Sequence, residues 1–213
     1  MSSIIRKNNY MLSMRERYPN RTVLMYHTSS ADAPPGYGCR EHLNAKHELD
    51  GLDAIKNWRR ILSDNWVNMG RGGVIPMVVD GKLFASVTHY TAWRRYRDTA
   101  PKFAKRFLLM GCYGTDPVEA KTKSSTRSEL GLPKWFKHRT HIRNPAILVK
   151  FRDIPLPRRV LEETWNAVLT VPINMRHEMY RTEWILHIIR ERLFMDEDNL
   201  LDLDYRYDPR DDK

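Results

Sequence analysis

The chain has 213 residues, with 36 Lys and Arg against 26 Asp and Glu, a net charge of +10 and a pI near 9.7. That excess needs neutralising, most commonly by phosphate backbones or anionic surfaces. Hydrophobic residues at 41%, with six Trp and ten Tyr, exclude a wholly disordered chain, and no apolar run nears the length that spans a bilayer.

Residues 1–20 form a basic N-terminal extension. Arg6, Lys7 and Arg15 occur with no acid before Glu16, and Ser2, Ser3 and Ser13 alternate with apolar residues. This composition matches an organellar targeting segment. The alternative is an ordinary basic tail. A single domain is expected over 21–195, beginning with a short buried strand over Arg21–His27, followed by a breaker-rich loop around Pro34-Pro35-Gly36.

Asp50 or Asp53 is expected to cap a helix whose stripe is Ile55, Trp58, Ile61, Leu62 and Trp66, ending before Gly70. Val74–Val79 and Leu83–Tyr90 flank Asp80-Gly81, which predicts a hairpin with a type I′ turn. Pro76 delays the first arm or places it at an edge. Thr91–Cys112 reads as helical and broken at Pro101. A long basic loop is expected at 116–145, then a strand over Ala146–Phe151. A helix from Pro157 or Arg158 should carry Val160, Leu161, Trp165 and Val168 and stop at Pro172. The last helix should cover roughly Met175–Met195.

The fold class this order implies is α+β: a small mixed or antiparallel sheet with packed helices, a long basic loop and extended termini. The C-terminal tail, 196–213, holds eight acids and three bases, a net −5, leaving +15 on the rest. Its Leu200, Leu201, Leu203, Tyr205 and Tyr207 lie between the charges, which suits docking on a neighbouring protein subunit.

Positive charge and rings alternate in the middle of the chain. The candidate RNA contacts are Arg94, Arg95, Arg97, Lys102, Lys105, Arg106, Lys121 and Lys123, then Lys134, Trp135, Lys137, His138, Arg139, His141 and Arg143. Guanidinium groups bind phosphate bidentately, and rings stack on unpaired bases. On a helix, the cations should form a solvent-facing stripe apart from Phe103 and Phe107. The plainer reading is a solvated basic loop pinned by Trp135 and Phe136.

Other chemistry is thinly signalled. Cys39, His42, His47 and Cys112 could supply a zinc set, but their spacing fits no familiar finger, so no metal and no cofactor are expected. There is no GxSxG, HExxH or P-loop, and Gly70-Arg71-Gly72-Gly73 lacks the Lys-Ser/Thr that grips phosphates. No RNP1 pattern, KH loop or zinc knuckle is present either.

The functional expectation is a structural, non-enzymatic RNA-binding subunit of a large ribonucleoprotein, a mitochondrial ribosomal protein in the matrix, with rRNA and neighbouring subunits as partners. One alternative is a peripheral accessory subunit of a mitochondrial membrane complex. A second is a nucleic-acid-processing enzyme assembled from scattered residues.

Overall fold

A computed structural model describes residues 20–38, 41–44, 49–133, 135–174 and 179–194. The expected N-terminal extension and acidic tail lie outside these residues. The fold is α+β, as its element order predicts. The described residues divide into two compact units, one formed by residues up to Ser63 together with 156–194, the other by Asp64–Pro155.

The first unit is built on a three-stranded sheet. β1 (Val23–Met25) pairs in parallel with β6 (Val168–Asn174), which pairs antiparallel with β7 (Met179–Thr182). Val23, Met25 and Val168 cluster as a core, and all of β1 is buried. A continuous apolar run buried on both faces is what a strand in a parallel pair requires. His42 adds an isolated antiparallel bridge to Val23.

The helix expected from Asp50 or Asp53 is two short pieces, α1 (Asp50–Asp53) and α2 (Trp58–Leu62). Asn57 separates them at φ 58°, a left-handed conformation that asparagine tolerates better than most residues. Neither aspartate caps: the N-cap positions are Leu49 and Asn57. Ile55, Trp58, Ile61 and Leu62 are nevertheless buried, but the helix ends at Leu62, well short of Gly70, and Trp66, the last member of the expected stripe, lies half-buried beyond it.

Toward the C-terminus, α7 (Pro155–Glu162) is shorter than expected. Val168 is not on it but opens β6, which runs through Pro172. The chain turns at Trp165, a non-glycine residue at φ 46°. Within the stretch expected as one final helix, residues 179–182 are strand and only α8 (Trp184–Phe194) is helical.

The second unit contains two small hairpins and four of the α-helices of the described residues. β2 (Met69–Gly70) and β3 (Gly73–Val74) form one. The other joins β4 (Met77–Val79) to β5 (Lys82–Phe84) through Asp80-Gly81, both at positive φ (51° and 67°), the I′ geometry the dipeptide predicts. The first arm starts after Pro76. The second ends at Phe84, because Ser86 at an N-cap position begins α3 (Val87–Tyr96), so Val87 and Tyr90 are helical.

α4 (Pro101–Ala104) starts at Pro101 and continues as a 3-10 turn over Lys105–Phe107. Rings fill the space between these elements. Tyr90 meets Phe84 edge-on at 5.3 Å, and Phe103 meets Tyr96 and Phe107 edge-on at 4.9 and 5.3 Å. Each fully buried ring contributes roughly 1.5–3 kcal/mol by area alone.

The long loop expected at 116–145 is corrected to helix over most of its length. α5 (Pro117–Thr126) begins with proline at its first position, and the Asp116 carboxylate accepts hydrogen bonds from the Val118 and Glu119 amides. That is a strong N-terminal signal, hidden in the sequence by the polar run behind it. α6 (Trp135–Asp153) follows, with Pro145 inside it. The strand expected at Ala146–Phe151 is the buried half of α6. A short apolar run cannot by itself distinguish strand from buried helix.

Candidate nucleic-acid interface

The strongest exposed feature of the second unit is a set of rings edged by cations. The Arg106 guanidinium lies 5.7 Å from the Phe103 ring centre, and the Lys123 ammonium lies 5.7 Å from that of Tyr113. Phe103 and Tyr113 meet edge-to-face at 6.5 Å, both half-buried. The Tyr113 amide donates to the Arg106 carbonyl at 2.9 Å, which holds the loop after α4 against the 3-10 turn. Lys102, Lys105, Arg106, Lys121 and Lys123 are all exposed. Rings fixed at the edge of a packed core, with long cationic side chains over them, can stack on bases and neutralise phosphates together.

The remaining sequence candidates divide sharply. Arg94 and Arg97 are partly exposed and face carboxylates, Arg94 with Asp98 at 3.9 Å and Arg97 with Asp98 and Asp80 at 3.1 and 3.7 Å. The solvent-facing stripe expected on this helix is corrected at Arg95, which is 7% exposed. Its guanidinium donates to the Ser124 carbonyl at 2.8 Å and lies between the Tyr96 and Trp135 rings, at 5.4 and 5.3 Å. Trp135 is buried, so it anchors α6 rather than offering a stacking face. His141 is half-buried. Arg143 is buried and pairs with Asp64 at 2.7 Å. Lys134 and the side chains of Lys137, His138 and Arg139 lie outside the described residues.

The Arg143–Asp64 pair belongs to a polar centre that was not expected. Lys150, one residue before Phe151 on α6, is buried with its ammonium 5.6 Å from the Trp66 ring and 5.0 Å from Phe151. Burial pushes its amine down to about 7, with Asp64 opposing the shift and Arg143 adding to it. The Asp64 carboxylate is a third exposed, so the group reaches solvent on that side. Its carbonyl accepts from the Thr88 amide at 3.1 Å, and the Thr88 hydroxyl donates to Asn65 at 2.5 Å. Asn144, next to Arg143, has a buried Oδ1 with no hydrogen-bond partner among the described residues. Unpaired buried acceptors are uncommon in cores that serve packing alone.

A second buried group is structural in character. The Ser86 hydroxyl lies 2.8 Å from His89 Nδ1 at the start of α3. Burial pushes His89 down to about 4, against the raising effects of the Asp116 carboxylate and the Asp116 and Tyr113 carbonyls. The imidazole stays neutral, with Nδ1 against the Ser86 hydroxyl at the start of α3.

Of the candidate zinc ligands, Cys39 and His47 lie outside the described residues, and Cys112 is an exposed free thiol. Among the described residues, no group of three or more His, Cys, Asp or Glu could hold a metal. No helix among them is long and apolar enough to cross a membrane.

One signal for the polar centre was present in the sequence. Lys150 is a lone cation inside the apolar run Ala146–Phe151, and such a residue must find internal partners. Asp64 carried no comparable signal, because its partner is 79 positions away.

The fold and these two sites define an α+β protein with compact helices where a wrapping loop was expected. No family model matches the chain, and no curated protein matches it in sequence. Among solved structures it is similar to the NMR structure of the E. coli protein YbiA, with a TM-score of 0.50 and 16% identity over 84% of this chain and 88% of that one. This likeness corrects the expectation of a mitochondrial ribosomal subunit. The likeness is one of fold, and the basic segment of this chain is helix over most of its length.

Proposed function

We propose that the chain is a nucleic-acid-processing enzyme. It holds its substrate on the Phe103–Arg106–Tyr113–Lys123 face and carries out proton transfer at the Asp64–Arg143–Lys150 group of the same unit. The ring-and-cation face carries this reading: four side chains from two helices, a 3-10 turn and a loop pair half-buried rings with exposed cations at 5.7 Å on a chain of net charge +10. Stacking on such rings is worth roughly 1–3 kcal/mol per base and tolerates any sequence.

The polar centre supplies the chemistry. An amine held near pH 7 is present in both protonation states at physiological pH, which suits acid–base work. Asp64 offers the solvent side, and Arg143 keeps its carboxylate oriented through the 2.7 Å bond.

Incubating the full chain with labelled single-stranded and duplex RNA and DNA, and resolving products by mass spectrometry, tests the proposal. The expected result is a product whose formation stops in Lys150→Met and, in the double variant Arg106→Glu and Lys123→Glu, persists only at raised substrate concentration. Unchanged oligonucleotides in every incubation would overturn it.

A further inference from the structure

The first unit contains a cluster of positive groups gathered around one turn. Arg21 donates from Nη2 to the Asn166 carbonyl at 2.6 Å. Arg190 on α8 donates from Nη1 to the Thr164 hydroxyl at 2.7 Å and from Nη2 to the Ala167 carbonyl at 3.0 Å. Two guanidinium groups thus clasp the oxygens of residues 164, 166 and 167, across the turn made at Trp165. His187 lies beside Arg190, with its Nδ1 3.4 Å from Nη2, and its Nε2 accepts from the Leu169 amide at 3.1 Å.

The oxygens these two arginines meet in those bonds are neutral. Arg190 is 5% exposed, and its hydrogen bonds go to Thr164, Ala167 and His187. Arg21 is exposed and bonds to a carbonyl. Glu191, on the exposed side of α8, is the acid that favours the Arg190 charge, whereas Arg21 opposes it. His187 is held down to about 4 by burial and then by Arg190 and Arg21, so the imidazole stays neutral and adds no charge of its own. Two like charges beside a buried turn raise the local potential, and an anion bound there relieves it.

We infer that Arg21, backed by Arg190 beneath the 164–167 turn, forms a phosphate-binding site in the first unit. Arg21 is the contact residue because its guanidinium reaches solvent. Arg190 acts through the field it adds and through the turn it fixes. The ligand class is a phosphate group, free or as a monoester. The guanidinium fork matches its oxygens, and a compact dianion fits an exposed arginine backed by a buried one. The site lies in the unit that does not hold the ring-and-cation face, so its test stands independently of the proposed enzyme activity.

The test is titration of the full chain with inorganic phosphate, in parallel with chloride at matched ionic strength, read by calorimetry and by the thermal unfolding midpoint. Phosphate should bind the wild-type chain and raise its midpoint beyond the chloride control. Arg21→Gln should weaken phosphate binding by about tenfold or more, the scale of a lost charge-assisted fork. Arg21→Lys should retain part of it. Arg21 is exposed with one backbone bond, so both variants should unfold in chloride near the wild-type midpoint. A parallel titration with adenosine monophosphate distinguishes the sources: tighter binding than phosphate marks a nucleotide monoester, and equal binding marks the free ion. Phosphate binding no better than chloride, or equal in wild type and Arg21→Gln, would overturn the inference.

Discussion

Lys150 is the residue on which environment acts most strongly. Its ammonium lies between Trp66 and Phe151, shielded from water, and its amine is pushed from 10.5 to about 7. An amine whose folded pKa is depressed binds fewer protons in the folded chain than in the unfolded chain between those two values. Stability therefore rises with pH through that window, and the full cost of the buried charge is present below pH 7. Lys150→Met keeps the length and removes the charge. Below pH 7 it should unfold at a higher temperature than the wild type, and the gap should narrow as the pH climbs toward 10. Thermal melts of both chains at stepped pH check this. A constant gap would mean that the amine keeps its ordinary value. Arg143→Met differs in kind: it leaves Asp64 without a 2.7 Å partner and should destabilise the chain at every pH above the carboxylate range.

At the scale of elements, the caps and turns decide where segments begin. Asp116 holds two amides at the start of α5, so Asp116→Ala should cost about 1 kcal/mol, read as a lower urea midpoint at unchanged slope. An unchanged midpoint would show that the cap is solvent-replaced. The same element shows what sequence patterning conveys and what it hides. The Asp80-Gly81 turn was legible because only a positive φ suits that pair there, and the structure has it at both residues. α5 was not, because Lys121 to Arg127 present no apolar period: a single residue, Ala120, is buried on that helix. α6 and β6 were exchanged for a related reason. Ala146–Phe151 is apolar on consecutive positions because α6 is enclosed on several sides, and Val168–Asn174 looked like the end of a helix because Pro172 reads as a stop. Tertiary enclosure, not local propensity, set both. The candidate site was legible in part for the same reason. Arg106 and Lys123 could be named from composition, but their pairing with Phe103 and Tyr113 depends on how the loop after α4 folds back.

Across the whole chain, charge is organised rather than spread. Some cations are taken inward, as at Arg59, which is buried against Glu41 at 2.6 Å and bonds the Pro34 carbonyl at 2.8 Å, Arg95 at Ser124, and Arg143 at Asp64. Others, including Lys102, Lys105, Arg106, Lys121 and Lys123, stay in solvent on the second unit. The inward set lowers the number of cations available to a partner, and of the exposed ones named, Arg106 and Lys123 lie beside rings. The proposal that the Phe103–Arg106–Tyr113–Lys123 face takes nucleic acid rests on these two pairings of ring and exposed cation. The claim that this face binds nucleic acid is tested most directly by fluorescence anisotropy with a labelled single-stranded oligonucleotide across a salt series. The wild-type chain should lose affinity linearly in log salt. The double variant Arg106→Glu and Lys123→Glu should bind at least about tenfold more weakly. Its salt slope should be shallower by roughly 2, one for each phosphate that the replaced cations no longer neutralise. Equal affinity and equal slope in the two chains would contradict the account.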